Sequence, residues 1–358
     1  MAFHTAVLTV LSFYFTAIAF APITAAQFTC NSTTGTTCNG LIGYKSPNAT
    51  TLGHIKTLFG VKNLRSILGA NGLPPSTPST HAVAPNQTLQ IPFLCLCRNG
   101  SGLPRSRRPS YAVVPGDGLD HIARDVFSGL VTYQQIQAIN NISNANLILA
   151  GQKLWIPLPC SCDEVGGERV VHYGYVVQSG NTLEAIAQEY NTSQDTLLAL
   201  NGLASPKDLL AGAVLDVPLK ACTSMVGNNS FDYPLLVSNG TYAFTAGNCV
   251  MCTCNAANNW TLQCAPSQVK SNLWTTCPSM QCEGSESLYL GNTTTSSCNR
   301  TSCAYAGHNN QTIFTTISTE STCPASDNNA AKSSLPGWSW SYLLIISIHL
   351  VVLCTVVI

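Results

Sequence analysis

Seventeen cysteines are the residues of this 358-residue chain with the clearest claim to chemistry. A thiolate can ligate a metal, attack an electrophile or close a disulfide, and spacing separates these roles. Cys95-x-Cys97 and Cys160-x-Cys162 are too closely spaced for structural zinc, which takes roughly two to four residues between its cysteines. Cys249-x-x-Cys252-x-Cys254 has better metal spacing, but His308 is the only histidine in that part of the chain and lies far from it. Sixteen cysteines fall between Cys30 and Cys323, and an even number in an exported chain implies eight disulfides. No metal and no cofactor is expected. The carboxylates between Cys222 and Cys323 are only Asp232, Glu283, Glu286 and Glu320, dispersed among cysteines. Glycoside hydrolysis needs two positioned carboxylates. No G-x-S-x-G, H-E-x-x-H or Cys/His constellation appears. No catalytic residue is assigned, and the chain reads as a binding protein rather than an enzyme.

The elements that must carry such a binder are weakly charged. Sixteen basic and 16 acidic residues cancel, and only 9% of residues are charged, against about 25% in an ordinary soluble domain. Neutrality argues against nucleic acid as a partner, since phosphate recognition needs a basic surface. It also removes electrostatic attraction to anionic lipid. Solubility must come from elsewhere. Twelve Asn-x-Ser/Thr sequons stand at Asn31, Asn48, Asn86, Asn99, Asn141, Asn191, Asn228, Asn239, Asn259, Asn292, Asn299 and Asn310. That exceeds chance for this composition and suits a glycosylated, secreted surface.

Both ends look processed. Residues 1–26 have an apolar core and end in Thr24-Ala25-Ala26, a signal peptide with cleavage expected before Gln27. Residues 324–358 read as a polar linker followed by an apolar run from Tyr342 to Ile358, with no charged residue after it. Small residues, a spacer and a terminal apolar tail describe a GPI-attachment signal, with Asn329 the preferred attachment site and Ser326 the second choice. A single membrane span is the alternative. Cys354 lies in that tail.

Between the ends the chain repeats itself. YAVVPGDGLDHIA, starting at Tyr111, and YVVQSGNTLEAIA, starting at Tyr175, each lead from an apolar strand through a turn into a helix. A second helix ending at Asn follows, and each unit closes with a short strand ending in Pro: LWIP and LDVP. A weaker first copy runs from YKSPNATTLGHIK to LQIP. Leu119, Ile122, Ala123 and Val126 fall at i, i+3, i+4, i+7 and predict one apolar helix face. Leu154 and Ile156 share a face of the closing strand. Two short strands are marginal alone, so both helices must cover them, and units of about 50 residues call for cross-links. The Cys-x-Cys pairs, read as lying directly after the closing strands, are placed to staple neighbours. After Cys222, the ten cysteines from there to Cys323 and the scarcity of long apolar runs predict a small disulfide-stapled, β-rich domain over 223–323.

The βααβ phrase with its terminal Pro resembles the LysM module. Three such modules, the Cys-x-Cys pairs, GTYAFTAGNCVMCTC (Gly240–Cys254), the sequons and the tail together resemble plant extracellular LysM receptors of the chitin elicitor-binding group. The resemblance implies an α+β fold of three small disulfide-linked modules, 27–97, 111–162 and 175–222, followed by the Cys-rich domain. It implies the pairings Cys30–Cys97, Cys38–Cys162 and Cys95–Cys160. It implies a neutral sugar site between two loops of the middle module: Pro115, Gly116, Asp117, Gly118 and Leu119 opposite Asn144, Ala145, Asn146, Leu147 and Ile148. Glycines admit a sugar close to the backbone, and Leu147 or Ile148 would cover an acetamide methyl, a contribution of about 1 kcal/mol. Asn48 puts a glycan in the equivalent loop of the first module, Asn141 puts one near the favoured site, and Ser179–Leu183 opposite Ser205–Leu210 makes the third module a secondary candidate.

The implied function is a receptor for chitin oligosaccharides on the outer leaflet of the plasma membrane, signalling defence through a LysM receptor-like kinase. A long oligomer bridging two copies would give a homodimer, the second contact helped by effective concentration. A peptidoglycan receptor and a non-signalling wall-adhesion protein are the alternatives.

Overall fold

The computed structural model describes residues 28–321; the signal peptide, Gln27, Cys323, Ser326, Asn329 and the apolar tail with Cys354 lie outside them. The described residues form two bodies, the first comprising 28–293 and 302–318 and the second 294–301 and 319–321. The second consists of short extended segments. The three units, the cleft and the four Cys-rich-domain disulfides described below all belong to the first.

Three βααβ units are present. In the first, strand Thr37–Lys45 leads through helices Leu52–Leu58 and Leu64–Ala70 to strand Thr88–Arg98. In the middle unit, strand Ser110–Ala112 leads through Leu119–His121, a π-turn Ile122–Val126 and helix Tyr133–Ile139 to strand Lys153–Trp155. The third runs from strand Val170–Val176 through helices Leu183–Glu189 and Gln194–Asn201 to strand Val214–Lys220.

Two backbone devices recur in all three. The residue after each opening strand exchanges two hydrogen bonds with the approach to the closing strand. Ser46 N–H donates to Gln87 O and Asn86 N–H to Ser46 O. Val113 does the same with Gln152 and Gly151, and Val177 with Ala213 and Gly212, all between 2.7 and 2.9 Å. The donor after the turn is left-handed each time, at φ 63° in Asn86, 82° in Gly151 and 84° in Gly212. Only Gly or Asn adopts that conformation cheaply.

The second device explains the Asn that ends each second helix. Asn140 Nδ2 donates to Ile136 O and Trp155 O while its Oδ1 accepts from Trp155 N–H. Asn71 clamps Ile67 and Gln90 identically, and Asn201 clamps Leu197 and Asp216. One amide thus caps the helix and fixes the edge of the closing strand, satisfying backbone groups that the short elements leave unpaired.

The units do not stand apart. Strand Thr37–Lys45 of the first pairs in parallel with strand Val170–Val176 of the third, Leu41 opposite Tyr173, within one six-stranded sheet. The middle unit's two strands make their own ribbon. Its core is joined to that of the first unit, from Ile42 and Leu52 through to Ile136 and Ile156. Tyr44, Phe59, Phe127 and Tyr111 form a chain of edge-to-face ring contacts across that boundary, 4.9–5.9 Å between centroids. Such pairs add stability beyond their buried area.

Disulfide Cys30–Cys97 lies within the first module, while Cys38–Cys162 and Cys95–Cys160 tie it to the segment closing the middle one. The first closing strand runs on through Cys95 and Cys97 to Arg98, so that pair lies within the strand rather than after it. Pairing with strand Gly100–Pro104 is what extends it. The Cys-rich domain carries Cys222–Cys254, Cys249–Cys277, Cys252–Cys264 and Cys282–Cys303. Its Cys-x-x-Cys-x-Cys sulfurs are therefore bonded to carbon and sulfur, not free as thiolates. Strand Tyr242–Thr245 begins a three-stranded antiparallel sheet there.

Candidate functional site

The two loops of the middle unit that leave its opening strand and approach its closing one lie side by side because Val113 bonds Gly151 and Gln152. Within the first loop, Asp117 is the organiser. Its Oδ2 accepts from Val114 N–H at 2.8 Å and from the Tyr111 hydroxyl at 2.9 Å. Burial, and then the adjacent Asp117, push the Tyr111 phenol up to about 12. The third unit reproduces the device with Asn181, which accepts from Gln178 N–H and the Tyr175 hydroxyl at 2.8 and 2.7 Å. In the second loop, Asn144 Oδ1 accepts from Asn146 N–H, and Leu147 N–H returns to Asn144 O, each at 3.0 Å. Gln152 Oε1 holds Leu149 N–H at 3.0 Å.

This geometry divides the residues expected to meet a ligand. Pro115, Gly116, Gly118, Asn144, Asn146 and Leu147 are exposed. Gly116 has φ 94°, so the turn requires a residue without a side chain. Leu119 turns the other way: it is 2% exposed and belongs to the core, which corrects the expectation that its side chain faces a ligand. Asp117 is likewise drawn inward, its side chain 4% exposed, and its carboxylate serves the turn. Ala145 and Ile148 are half-buried against the core.

Two exposed apolar residues were missed. Leu149 is 73% exposed beside Leu147 at 70%, and Val114 is 51% exposed on the facing loop. The alternation Leu147 out, Ile148 in, Leu149 out was available in the sequence as an extended-chain period of two. Such side chains are costly to leave in water without a partner.

The LysM domain matches residues 111–157 and 175–218, and those ranges begin at Tyr111 and Tyr175, the two tyrosines whose hydroxyls the Asx turns hold. Over 331 residues the chain is 47% identical to "LysM domain-containing GPI-anchored protein 2" of Arabidopsis thaliana, covering 92% of this chain and 91% of that protein. This chain belongs to the family of LysM-domain GPI-anchored proteins. Over 338 residues it is 44% identical to "Chitin elicitor-binding protein" of Oryza sativa subsp. japonica, covering 93% and 92%. The solved ectodomain of a receptor-like kinase aligns with 52% of this chain and 93% of its own, at 22% identity and a TM-score of 0.44.

Within this LysM protein the three units present different surfaces at the same place. In the first, Ser46 is 1% exposed and its hydroxyl donates to Asn48 O at 2.8 Å, folding a tight turn that leaves the sequon Asn48 exposed. In the third, Leu210 is exposed at 53%, and Ser205 and Asp208 form a capping box. The middle unit alone of the three carries two strongly exposed leucines on the loop before its closing strand, together with an exposed valine on the other loop.

Proposed function

We propose that this chain is a cell-surface receptor, GPI-anchored in the outer leaflet, that binds chitin oligomers on the paired loops of its middle module without cutting them. The observation that carries the reading is the exposed trio Val114, Leu147 and Leu149 on two loops held together by backbone hydrogen bonds. An N-acetylglucosamine unit is neutral and offers hydroxyls, an amide and one methyl. The exposed turn around Gly116 lets the sugar approach the backbone, and the leucines cover methyl and ring carbons at about 0.8 kcal/mol per buried CH2-sized group. Contacts this shallow are weak singly, so affinity accumulates along the oligomer. The likeness to the chitin elicitor-binding protein supports the ligand class.

The first βααβ unit is read as a third LysM module whose ledge is closed by the Asn48 glycan. Signalling passes to a receptor kinase with a LysM ectodomain, and a long oligomer bridges two copies. Calorimetric titration of the full chain with chitin and peptidoglycan oligomers tests this. Chitin should bind, and Leu147→Asp with Leu149→Asp should weaken it by at least ~10-fold. Undiminished binding by that variant overturns the site; a preference for peptidoglycan overturns the ligand. Ile148 is a poor probe because it is packed against the core.

A further inference from the structure

A cleft of about 790 Å³ opens between the first βααβ unit and the Cys-rich domain. None of its lining residues belongs to the middle module's two loops, and its walls differ from them in chemistry. Its mouth carries Lys62, Arg105 and Arg108, all exposed. None of the three enters an ion pair among the described residues. The one carboxylate on the wall, Asp232, is already occupied: it accepts from the hydroxyls of Ser230, Thr245 and Tyr305. In a chain whose charges cancel overall, three cations against one carboxylate leave this cleft a local surplus of positive charge among the described residues. The field of such a surplus favours an anion.

The loop that presents two of these cations is conformationally costly. Ser106 and Arg107 are consecutive non-glycine residues at φ 74° and 50°, a pairing that persists only where surrounding structure imposes it. It sends Arg105 and Arg108 to the cleft, while Arg107 lies over the Trp155 ring 5.8 Å from its centroid. Arg108 rests its stem on Gly60, where an added Cβ would sit 3.4 Å from Arg108 Cδ.

Besides the cations the lining mixes aliphatic residues, such as Leu94 and Leu236, with polar and aromatic ones. Asn39, Ser66 and Ser106 expose side chains that make no hydrogen bond among the described residues. Phe93 is half-buried, while Phe231 is 62% exposed, steadied at one edge by a perpendicular contact with His308 at 5.8 Å. Free hydroxyls and amides suit a polyol, flat rings suit the apolar face of a sugar, and guanidinium groups suit carboxylates with paired hydrogen bonds. Volume and position also fit, since ligand clefts of a few hundred to about 1,000 Å³ favour domain boundaries.

We propose that this cleft is a second carbohydrate site, which takes short oligosaccharides bearing carboxylates. It is independent of the neutral-sugar reading of the middle module. The probe is trigalacturonate, titrated calorimetrically into the full chain, with chitotriose as the neutral sugar and hexaglutamate as the acidic peptide. Trigalacturonate should bind, and binding should weaken sharply near 1 M salt, where the screening length falls to about 3 Å. Arg105→Gln with Arg108→Gln should cost at least ~10-fold in its affinity and leave chitotriose binding as in the parent chain. Phe231→Ala should weaken trigalacturonate and leave hexaglutamate unchanged, because only a sugar ring stacks on that face. No binding of trigalacturonate, or equal binding by the arginine variant, overturns the proposal. Hexaglutamate binding as tightly as trigalacturonate and competing with it also overturns it, in favour of a peptide. Loss of chitotriose binding by the parent chain would count against the middle-module reading alone.

Discussion

The middle and third βααβ units share their scaffolding and differ in what they expose. Each has an Asn clamp on its closing strand, Asn140 and Asn201, and an Asx turn gripping a tyrosine hydroxyl, Asp117 with Tyr111 and Asn181 with Tyr175. At the residue held by the clamp they part company. The middle unit has Trp155, whose buried Nε1 has no partner; the third has Asp216, paired with His172 from the opposite strand. The middle unit then places Leu147 and Leu149 in solvent, where the third has only Leu210. Frame and surface are thus specified by separate residues, so one can be broken without the other.

The largest effect is expected at the clamped residue, where the third unit has a buried ion pair and the middle unit has Trp155. His172 Nδ1 lies 2.9 Å from Asp216 Oδ2, and its Nε2 lies 2.8 Å from Asp163 O. A carbonyl only accepts, so the ring donates there, and the carboxylate takes the proton on the other side. Burial opposes a charge on His172, but the Asp216 carboxylate outweighs it and holds the imidazole above its ordinary value. Asp216→Ala should lower stability by about 3–5 kcal/mol near pH 6, because it strands a buried charge. A group with a raised folded pKa stabilises fully below its unfolded value, about 6.5, and loses that contribution as pH rises through the folded one. Thermal melts of the parent chain should therefore show this loss above pH 6.5, and Asp216→Asn should show none of it. A slope in that window surviving in Asp216→Asn would assign it to another group.

Next comes the shared clamp. Asn140→Ala removes the side-chain bonds to Trp155 O, Trp155 N–H and Ile136 O, although Ile136 O keeps the residue 140 N–H. Each such loss costs on the order of 1 kcal/mol or more when buried, so denaturant unfolding should report about 2–3 kcal/mol. Asn201→Ala should cost about the same. A large disparity between the two would mean that the clamp is not the common support it looks like.

That clamp marks how far the sequence could be read. The Asn ending each second helix was visible as a repeat, as were the strand-ending prolines and the apolar helix face of Leu119, Ile122 and Ala123. What the Asn does was not visible, because its partners Gln90, Trp155 and Asp216 share no side-chain chemistry and are bonded through their backbone. Asp117 was misread for a related reason. Between two glycines it looks like an exposed turn residue, and only the neighbouring tyrosine hydroxyl and amide draw its carboxylate inward. The parallel pairing of Leu41 with Tyr173 joins distant segments and leaves no local periodicity to detect. The cysteine pairs came from likeness to a family, since spacing leaves many connectivities open. Leu149 was legible: alternation about the half-buried Ile148 places it outside.

The exposed residues give smaller effects that bear directly on function. Leu147→Asp with Leu149→Asp should weaken chitin binding by ~10-fold or more, about 1.4 kcal/mol, while Leu210→Asp in the third unit should change it less than about 2-fold. Equal losses in both would mean that the two modules share the ligand, and the middle unit's extra leucine would not be what selects it.

Smallest of all should be the exchange that makes the middle unit's turn into the third's. Asp117→Asn keeps an oxygen for both Val114 N–H and the Tyr111 hydroxyl, as Asn181 already does for Gln178 and Tyr175. Stability should therefore move by no more than about 0.5 kcal/mol, and chitin affinity should hold, because the Asp117 side chain is buried in the turn rather than offered to the sugar. The charge also lies 3.7 Å from the half-exposed His121 Nε2, a contact worth little, and its sharper readout is the tyrosine. Ultraviolet titration should find the Tyr111 phenol, pushed up to about 12 in the parent chain, closer to its ordinary value of about 10 once the carboxylate is gone. If affinity fell while that titration shifted as described, the carboxylate would be reaching the ligand after all, and the two modules would differ in their sugar chemistry rather than only in their exposed leucines.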